Sequence, residues 1–332
     1  MSGWSARNAA IALALLALAT LPVWVGNPYY INVSSQILLF AVFALALNVL
    51  VGYGGLVSLG HAGLFAMAGY TAALLLEAGH GHFVANVAAL VVVVLTSAVF
   101  GVLALRSTGI GFLMITLALG QIVWGIAYRW ASLTNGDNGV NVPTRPAPFG
   151  IVLSNAPSFY YATLIVFLVC VGSMILFVRS PFGASLRGTR DQARRMNALG
   201  YNVWLIRFVA FLFSGLWTGV AGLLFLYYNQ FISPQVAALQ TSAEALLMVI
   251  SGGTATLLGP IAGAAIVVIM KNVVSAYIER WNLVLGVIFV AIITFMPEGL
   301  IPGIVRFWKM GWRAFRDRGR PAVLRNVAEP PP

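Results

Sequence analysis

Long apolar runs alternate with short polar breaks along most of the chain, and the runs are close to one size. A helix that crosses the hydrocarbon core of a bilayer needs about 20 apolar residues. Runs of that order stand at about 8–25, 33–51, 60–78, 83–105, 109–128, 159–178, 204–228 and 283–300. A further apolar region, 243–274, carries the interruption SGGTATLLGP at 251–260. That region reads either as one overlong helix or as two short ones. The pattern predicts an all-α chain of membrane-crossing helices.

Composition agrees with the pattern. Hydrophobic residues fill 60% of 332 positions and only 8% are charged, against about 45–50% and about 25% in soluble domains. So much apolar surface does not fit a water-soluble core, and the chain reads as an integral membrane protein. The net charge of +11 fits basic residues flanking spans on the cytoplasmic side and calls for no nucleic acid partner.

The placement of charge sets an orientation. Arg179, Arg187, Arg190, Arg194 and Arg195 crowd into the loop 179–203, and Arg306, Lys309, Arg313, Arg316, Arg318, Arg320 and Arg325 into the tail. An Arg at a span centre costs about 2.5–3.5 kcal/mol, and basic loops stay in the cytoplasm. With Arg7 also inside, six spans precede the loop. An even number must then separate loop from tail, which favours two helices in 243–274, broken near Gly252–Pro260, and ten spans in all. Arg129, Arg145, Lys271 and Arg280 fall on the outer side. A signal peptide cut near Ala17-Leu18-Ala19 is the alternative reading of the N-terminus; a retained first helix suits the orientation better. The chain divides into an N-terminal helix and outer loop (1–32), a transmembrane domain with its cytoplasmic loop 179–203 (33–300) and a basic cytoplasmic tail (301–332) that ends in a Pro-rich stretch.

Catalytic signals are poor. His80 and His82 lie in the turn EAGHGH without carboxylate or Cys support for a metal. Ser58 lacks the glycine two positions before it that a nucleophile elbow needs. No phosphate-binding G-x-x-x-x-G-K-[ST] occurs, and Cys170 sits alone in an apolar run. The chain reads as a non-enzyme with no metal or cofactor of its own. Glycines instead crowd LNVLVGYGGLVSLGHAGLFAMAGYTAALLL, 47–76. Two readings stand: close helix packing through small residues, or a broken helix beside a pathway, where irregular backbone is tolerated at membrane depth. Polar residues within spans are costly and face a bundle interior, which makes Asn48, Ser58, His61, Thr116 and Gln121 candidate pathway residues. Glu244 is placed at the outer interface.

The segment 47–75, together with GFLMITLALGQIVWGIA (111–127), TNGDNGV (134–140), GYNVWLIRFVAFLFSGLWTGVAGLLF (200–225) and ALLMVISGGTATLLGPIAGAA (245–265), resembles the permease subunits of branched-chain amino acid ABC importers. The charged loop and GDNG are similar to the larger, second permease of a heterodimeric pair. This resemblance covers residues 35–300. It implies a ten-helix permease of the bacterial inner membrane, working with a second permease, two cytosolic ATPases that use ATP and Mg, and a periplasmic binding protein.

In that family a cytoplasmic loop forms a coupling helix that docks on the ATPase. Carried to this chain, the coupling residues are Arg190, Asp191, Ala193, Arg194, Arg195, Met196, Leu199 and Gly200. Ala193, Met196 and Ala198–Leu199 supply an apolar side, and Gly200 a C-terminal stop. Arg194-Arg195-Met196-Asn197 stands where relatives often carry acidic and alanine residues. Asp137 and Asn138 of TNGDNGV fall at the outer mouth, with Asn135 where a second glycine is usual; a plain turn is the other reading. The implied function is ATP-driven import of branched-chain amino acids, urea, amides or related small polar solutes. A secondary transporter or channel without ATPases is the rival reading, and a membrane-embedded enzyme acting through His61 or Ser58 is the second.

Overall fold

The structure, a computed structural model, describes residues 16–303 apart from 143, 147–152, 154, 278–279 and 297–298. Arg7 and the basic tail beyond residue 303 lie outside the described residues. The described chain is helical: α1 (within 16–24), α2 (Pro28–Asn48), α3 (His61–Glu77), α4 (His82–Ala104), α5 (Ile110–Arg129), the single turn α6 (Ala131–Thr134), α7 (Ala156–Arg179), α8 (Pro181–Ala198), α9 (Val203–Asn229), α10 (Leu239–Gly252), α11 (Leu258–Asn272) and α12 (Trp281–Phe295). One minimal antiparallel pair joins Val140–Asn141 (β1) to Phe231–Ile232 (β2).

Among the described residues six helical stretches are long and apolar enough to cross a bilayer: Pro28–Gly54, His82–Ala104, Ile110–Arg129, Ala156–Arg179, Val203–Asn229 and Leu258–Ala276. α3, at 17 residues, and α10, at 14, are shorter. α2 starts where Asn27 accepts the Tyr29 amide at 2.9 Å and Pro28 fills the first turn, the usual chemistry of a helix start. It is apolar all round, which suits only a helix enclosed by others, and every residue from 38 to 50 is buried. α7, α9, α10 and α11 surround it. The outward faces of α4, α5 and α7 carry exposed apolar side chains such as Phe83, Ile110, Ile165 and Leu176, as a lipid-facing surface requires. Cys170, on α7, is buried in the core.

Small residues set the spacing between helices. A Cβ at Gly222 of α9 would strike the Phe65 carbonyl of α3, and one at Gly63 of α3 would come within 3.2 Å of the Gly120 Cα on α5. Such close approach is the general device by which helices associate in lipid.

The region 243–274 forms two helices. α10 and α11 run antiparallel, with Gly252 against the Gly259 backbone at one level and Gly263 against the Met248 backbone at the next. The turn between them needs left-handed backbone at Gly253 (φ 118°) and Ala255 (φ 58°). At the far end Lys271 pairs with Glu244 at 3.5 Å, and Asn272 donates to Gln36 Oε1 at 2.7 Å.

Contacts sort the connections to two ends. β1 and β2 pair the segment after α5 with the segment after α9. At the opposite end of α9, whose 27 residues span about 40 Å, α8 lies beside residues 49–54, which continue α2 and meet the α10–α11 turn at Gly52. Replacing Gly252 by Val should overpack the α10–α11 contact and cost about 1–3 kcal/mol. Thermal unfolding of the detergent-purified chain reads this as a lowered midpoint, while Gly286→Ala, where a Cβ meets open space, should leave the midpoint unchanged.

Candidate functional site

The span that begins as α2 does not end as an α-helix. Residues Val49–Gly54 form a π-helical turn, a wider winding that is rare and marks functional positions more often than chance. The Leu56 amide closes on the Leu50 carbonyl at 2.9 Å. Gly55 then takes a left-handed conformation (φ 67°), and the backbone stays non-helical until α3 starts at His61.

Non-helical backbone inside a bundle must find partners within the protein, and polar side chains provide them. The Leu59 amide donates to Thr116 Oγ1 at 3.2 Å, and the Ala62 amide to Ser242 Oγ at 3.0 Å. Asn48 works in both directions across to the α10–α11 turn: its Nδ2 donates to the Thr256 carbonyl at 2.8 Å and its Oδ1 accepts from the Ala255 amide at 3.2 Å. Two breaks far apart in sequence are thus tied together by one amide side chain.

His61 joins a second chain of bonds. Ser214 Oγ donates its one hydrogen to the Ala46 carbonyl at 2.6 Å. It therefore accepts from His61 Nε2–H at 2.9 Å, and His61 Nδ1 accepts from Ser58 Oγ–H at 2.9 Å. A neutral imidazole has one donor and one acceptor, and here both are used. Asn48, Ser58, His61, Thr116, Ser214 and Ser242 are each at most 1% exposed.

Four of the five expected pathway residues thus converge on one junction, enclosed within this subunit. Gln121 does not join them: it is half-buried next to Gly120 and takes part in none of these bonds. The sequence reading missed Ser214, Ser242 and Thr256, which lie 153–208 residues from their partners and have no local motif to betray them. Among the described residues no three His, Cys, Asp or Glu side chains cluster as a metal site would need.

Beside the junction lies α8. The helix starts at Pro181, where Ser180 caps it by accepting from the Gly183 amide at 3.2 Å and Pro181 fits the first turn. Non-helical backbone at Gln192 (φ −150°, ψ 84°) kinks it. It stops at Gly200 (φ 86°), with the Tyr201 amide on the Met196 carbonyl at 3.0 Å, a Schellman ending.

Leu186 and Thr189 face inward, Ala193 and Met196 are half-buried, and Asp191, Arg194, Arg195, Ala198, Leu199 and Gly200 are exposed. The Arg190 guanidinium donates to the Gly52 carbonyl of the π-turn, and Arg207 Nη2 of α9 donates to the Thr189 carbonyl at 2.9 Å. The Arg190–Asp191 pair, 3.7 Å apart, is exposed and contributes little.

At the opposite end Asp137 and Asn138 are exposed in the 3-10 turn Gly136–Asn138. Thr134 Oγ1 anchors that turn to the Ala127 carbonyl at 2.7 Å, and Asn135 holds its left-handed position (φ 57°). Arg145 fastens the same loop to the last turn of α9, donating to the Tyr227 and Tyr228 carbonyls at 2.9 and 3.1 Å.

Comparison with known proteins gives this arrangement a place. Residues 29–293 match the family of the branched-chain amino acid transport system, permease component. The chain belongs to this family. It is 26% identical over 329 residues to the high-affinity branched-chain amino acid transport system permease protein LivM of Salmonella typhimurium, and 27% identical to the LivM of Escherichia coli, covering 91% of this chain and 77% of each relative. No solved structure matches it. This permease is therefore a multi-pass inner-membrane subunit of an ABC transport system, similar to the larger second permease, and ATP hydrolysis in such a system is carried by separate subunits.

Replacing Ser214 by Ala in this permease leaves the His61 Nε2–H without its acceptor and should cost about 1–3 kcal/mol, the usual penalty for an orphaned buried donor. Gln121→Ala should cost nothing measurable. Thermal unfolding of the two purified variants beside the parent chain checks both.

Proposed function

We propose that this permease spans the membrane ten times and moves branched-chain amino acids or related small polar solutes inward by alternating access. α8 is its coupling helix. Six spans precede α8 and four follow, with both the 179–203 loop and the tail in the cytoplasm. The partners are a second permease, two ATPases that bind ATP and Mg, and a periplasmic binding protein that meets the loop bearing Asp137 and Asn138. This chain holds no cofactor of its own.

The observation that carries the reading is the link between α8 and the broken span. A helix whose outer surface is exposed over residues 190–200 is held at Arg190 to the π-turn and at Thr189 to α9. Force applied to α8 by a moving ATPase would reach the Gly52 carbonyl directly, and through Asn48 the α10–α11 turn. The Asn48, Ser58, His61 and Thr116 junction is then the element that opens and closes, with Gln121 beside it on α5. Its enclosure within the subunit suits one state of a gate. A zwitterionic substrate would pass along it without tight binding, recognition being left to the soluble partner.

Purification of the tagged permease in mild detergent from its native membrane should bring down a second permease and ATPases. Replacing residues 190–199 by a Gly/Ser linker, or reversing charge with Arg194→Glu and Arg195→Glu, should lose the ATPases and reduce uptake at least tenfold while the second permease stays bound. If the linker variant retains its ATPases and its uptake, the coupling role is refuted and an ATPase-independent carrier takes its place.

A further inference from the structure

A second feature stands where α4 and α8 end and α9 begins. A half-open cleft of about 250 Å³ is lined by Leu105, Asn197, Asn202, Val203, Trp204 and Arg207. Its volume is below the range of about 300–1,000 Å³ typical of drug-sized ligands, so it suits a small group. Arg207 gives the cleft its character. Its Nη2 is spent on the Thr189 carbonyl, while its Nε is buried without any acceptor. Neither of the ion pairs found among the described residues involves Arg207. Buried donors almost always find an acceptor, and a half-buried cation without a counter-charge is costly.

The rest of the lining sharpens the chemistry. Asn197 contributes a side-chain amide from the end of α8. Trp204 is 42% exposed at the rim and stacks on Phe208 with ring centroids 5.0 Å apart. Tyr201 and Leu205 are also exposed there, and Arg106 directly follows Leu105. Aromatic side chains at the end of a span sit at the level of lipid headgroups, and a guanidinium fork beside amide donors matches a phosphate oxyanion.

We propose that this cleft is a phosphate site, taking an oxyanion on Arg207 and Asn197, with the phosphate carried either by an inner-leaflet phospholipid headgroup or by a free phosphate. The side of the membrane rests on the orientation proposed above; the binding chemistry does not. Because Arg207 also holds the Thr189 carbonyl, an occupied site stiffens the attachment of α8 to α9.

The test is native mass spectrometry on the full chain, purified with its partners, delipidated and titrated with phosphatidylglycerol or with inorganic phosphate. Arg207→Gln removes the cation. Asn197→Leu, at an exposed position that leaves the fold intact, removes the amide and narrows the cleft. Phosphatidylglycerol adducts weakened at least tenfold by both variants assign the site to lipid. Adducts of inorganic phosphate that both variants abolish, with lipid binding unchanged, assign it to the free anion. If neither ligand distinguishes the parent chain from Asn197→Leu, the site does not exist. The readout is binding, so it stands whether or not the coupling role of α8 holds.

Discussion

Every backbone amide and carbonyl inside a bilayer must be satisfied by the protein itself, and the rest of this structure follows from how one span meets that constraint. α2 abandons the α-helix at Val49, winds as a π-turn and then runs without helix to Gly60. Such a segment survives at membrane depth only when enclosed and supplied with partners. Thr116 from α5, Ser242 from α10 and Ser58 from the break itself provide them. Glycines let the surrounding backbones come close enough for those short side chains to reach. The two readings of the glycine-rich stretch, packing and a break, therefore both apply: Gly63 is a packing contact and Gly55 a change of direction.

The same solution ties distant parts of the permease together. Asn48 holds the π-turn to the α10–α11 turn, Arg190 holds it to α8, and the Ser58–His61–Ser214 chain holds the start of α3 to α9 and, at Ala46, back to α2. Each tie of α8 runs from an arginine side chain to a backbone carbonyl, Arg190 to Gly52 and Arg207 to Thr189. The neutral bonds among these each contribute only about 0.5–1.5 kcal/mol, and the one from the Arg190 guanidinium about 1.5–3 kcal/mol.

Much of this was legible in the sequence. Hydropathy placed the long helices, because a span's length and composition are local properties. Parity of the basic loops predicted the division of 243–274, which the structure resolves as α10 and α11. Asn48, Ser58, His61 and Thr116 stood out because polar residues in apolar runs must have partners. What was hidden depends on contacts between remote segments. Ser214 and Ser242 are ordinary residues of apolar helices until folding brings them to the break. The π-turn has no distinct sequence signature, and Gln121 satisfied the same rule as Thr116 yet lies on a less enclosed face of α5.

The most direct measurement separates ATP hydrolysis from transport in the reconstituted importer carrying Arg190→Ala. That substitution leaves the exposed surface of α8 around Arg194 and Arg195 intact and removes the hold on the Gly52 carbonyl, together with the exposed Asp191 pair that contributes little. If α8 drives the broken span through this contact, the ATPases remain bound and hydrolyse ATP at close to the parent rate while substrate uptake falls at least tenfold. Uptake and hydrolysis that both stay at parental levels would contradict it, and would mean that motion reaches the pathway by another route.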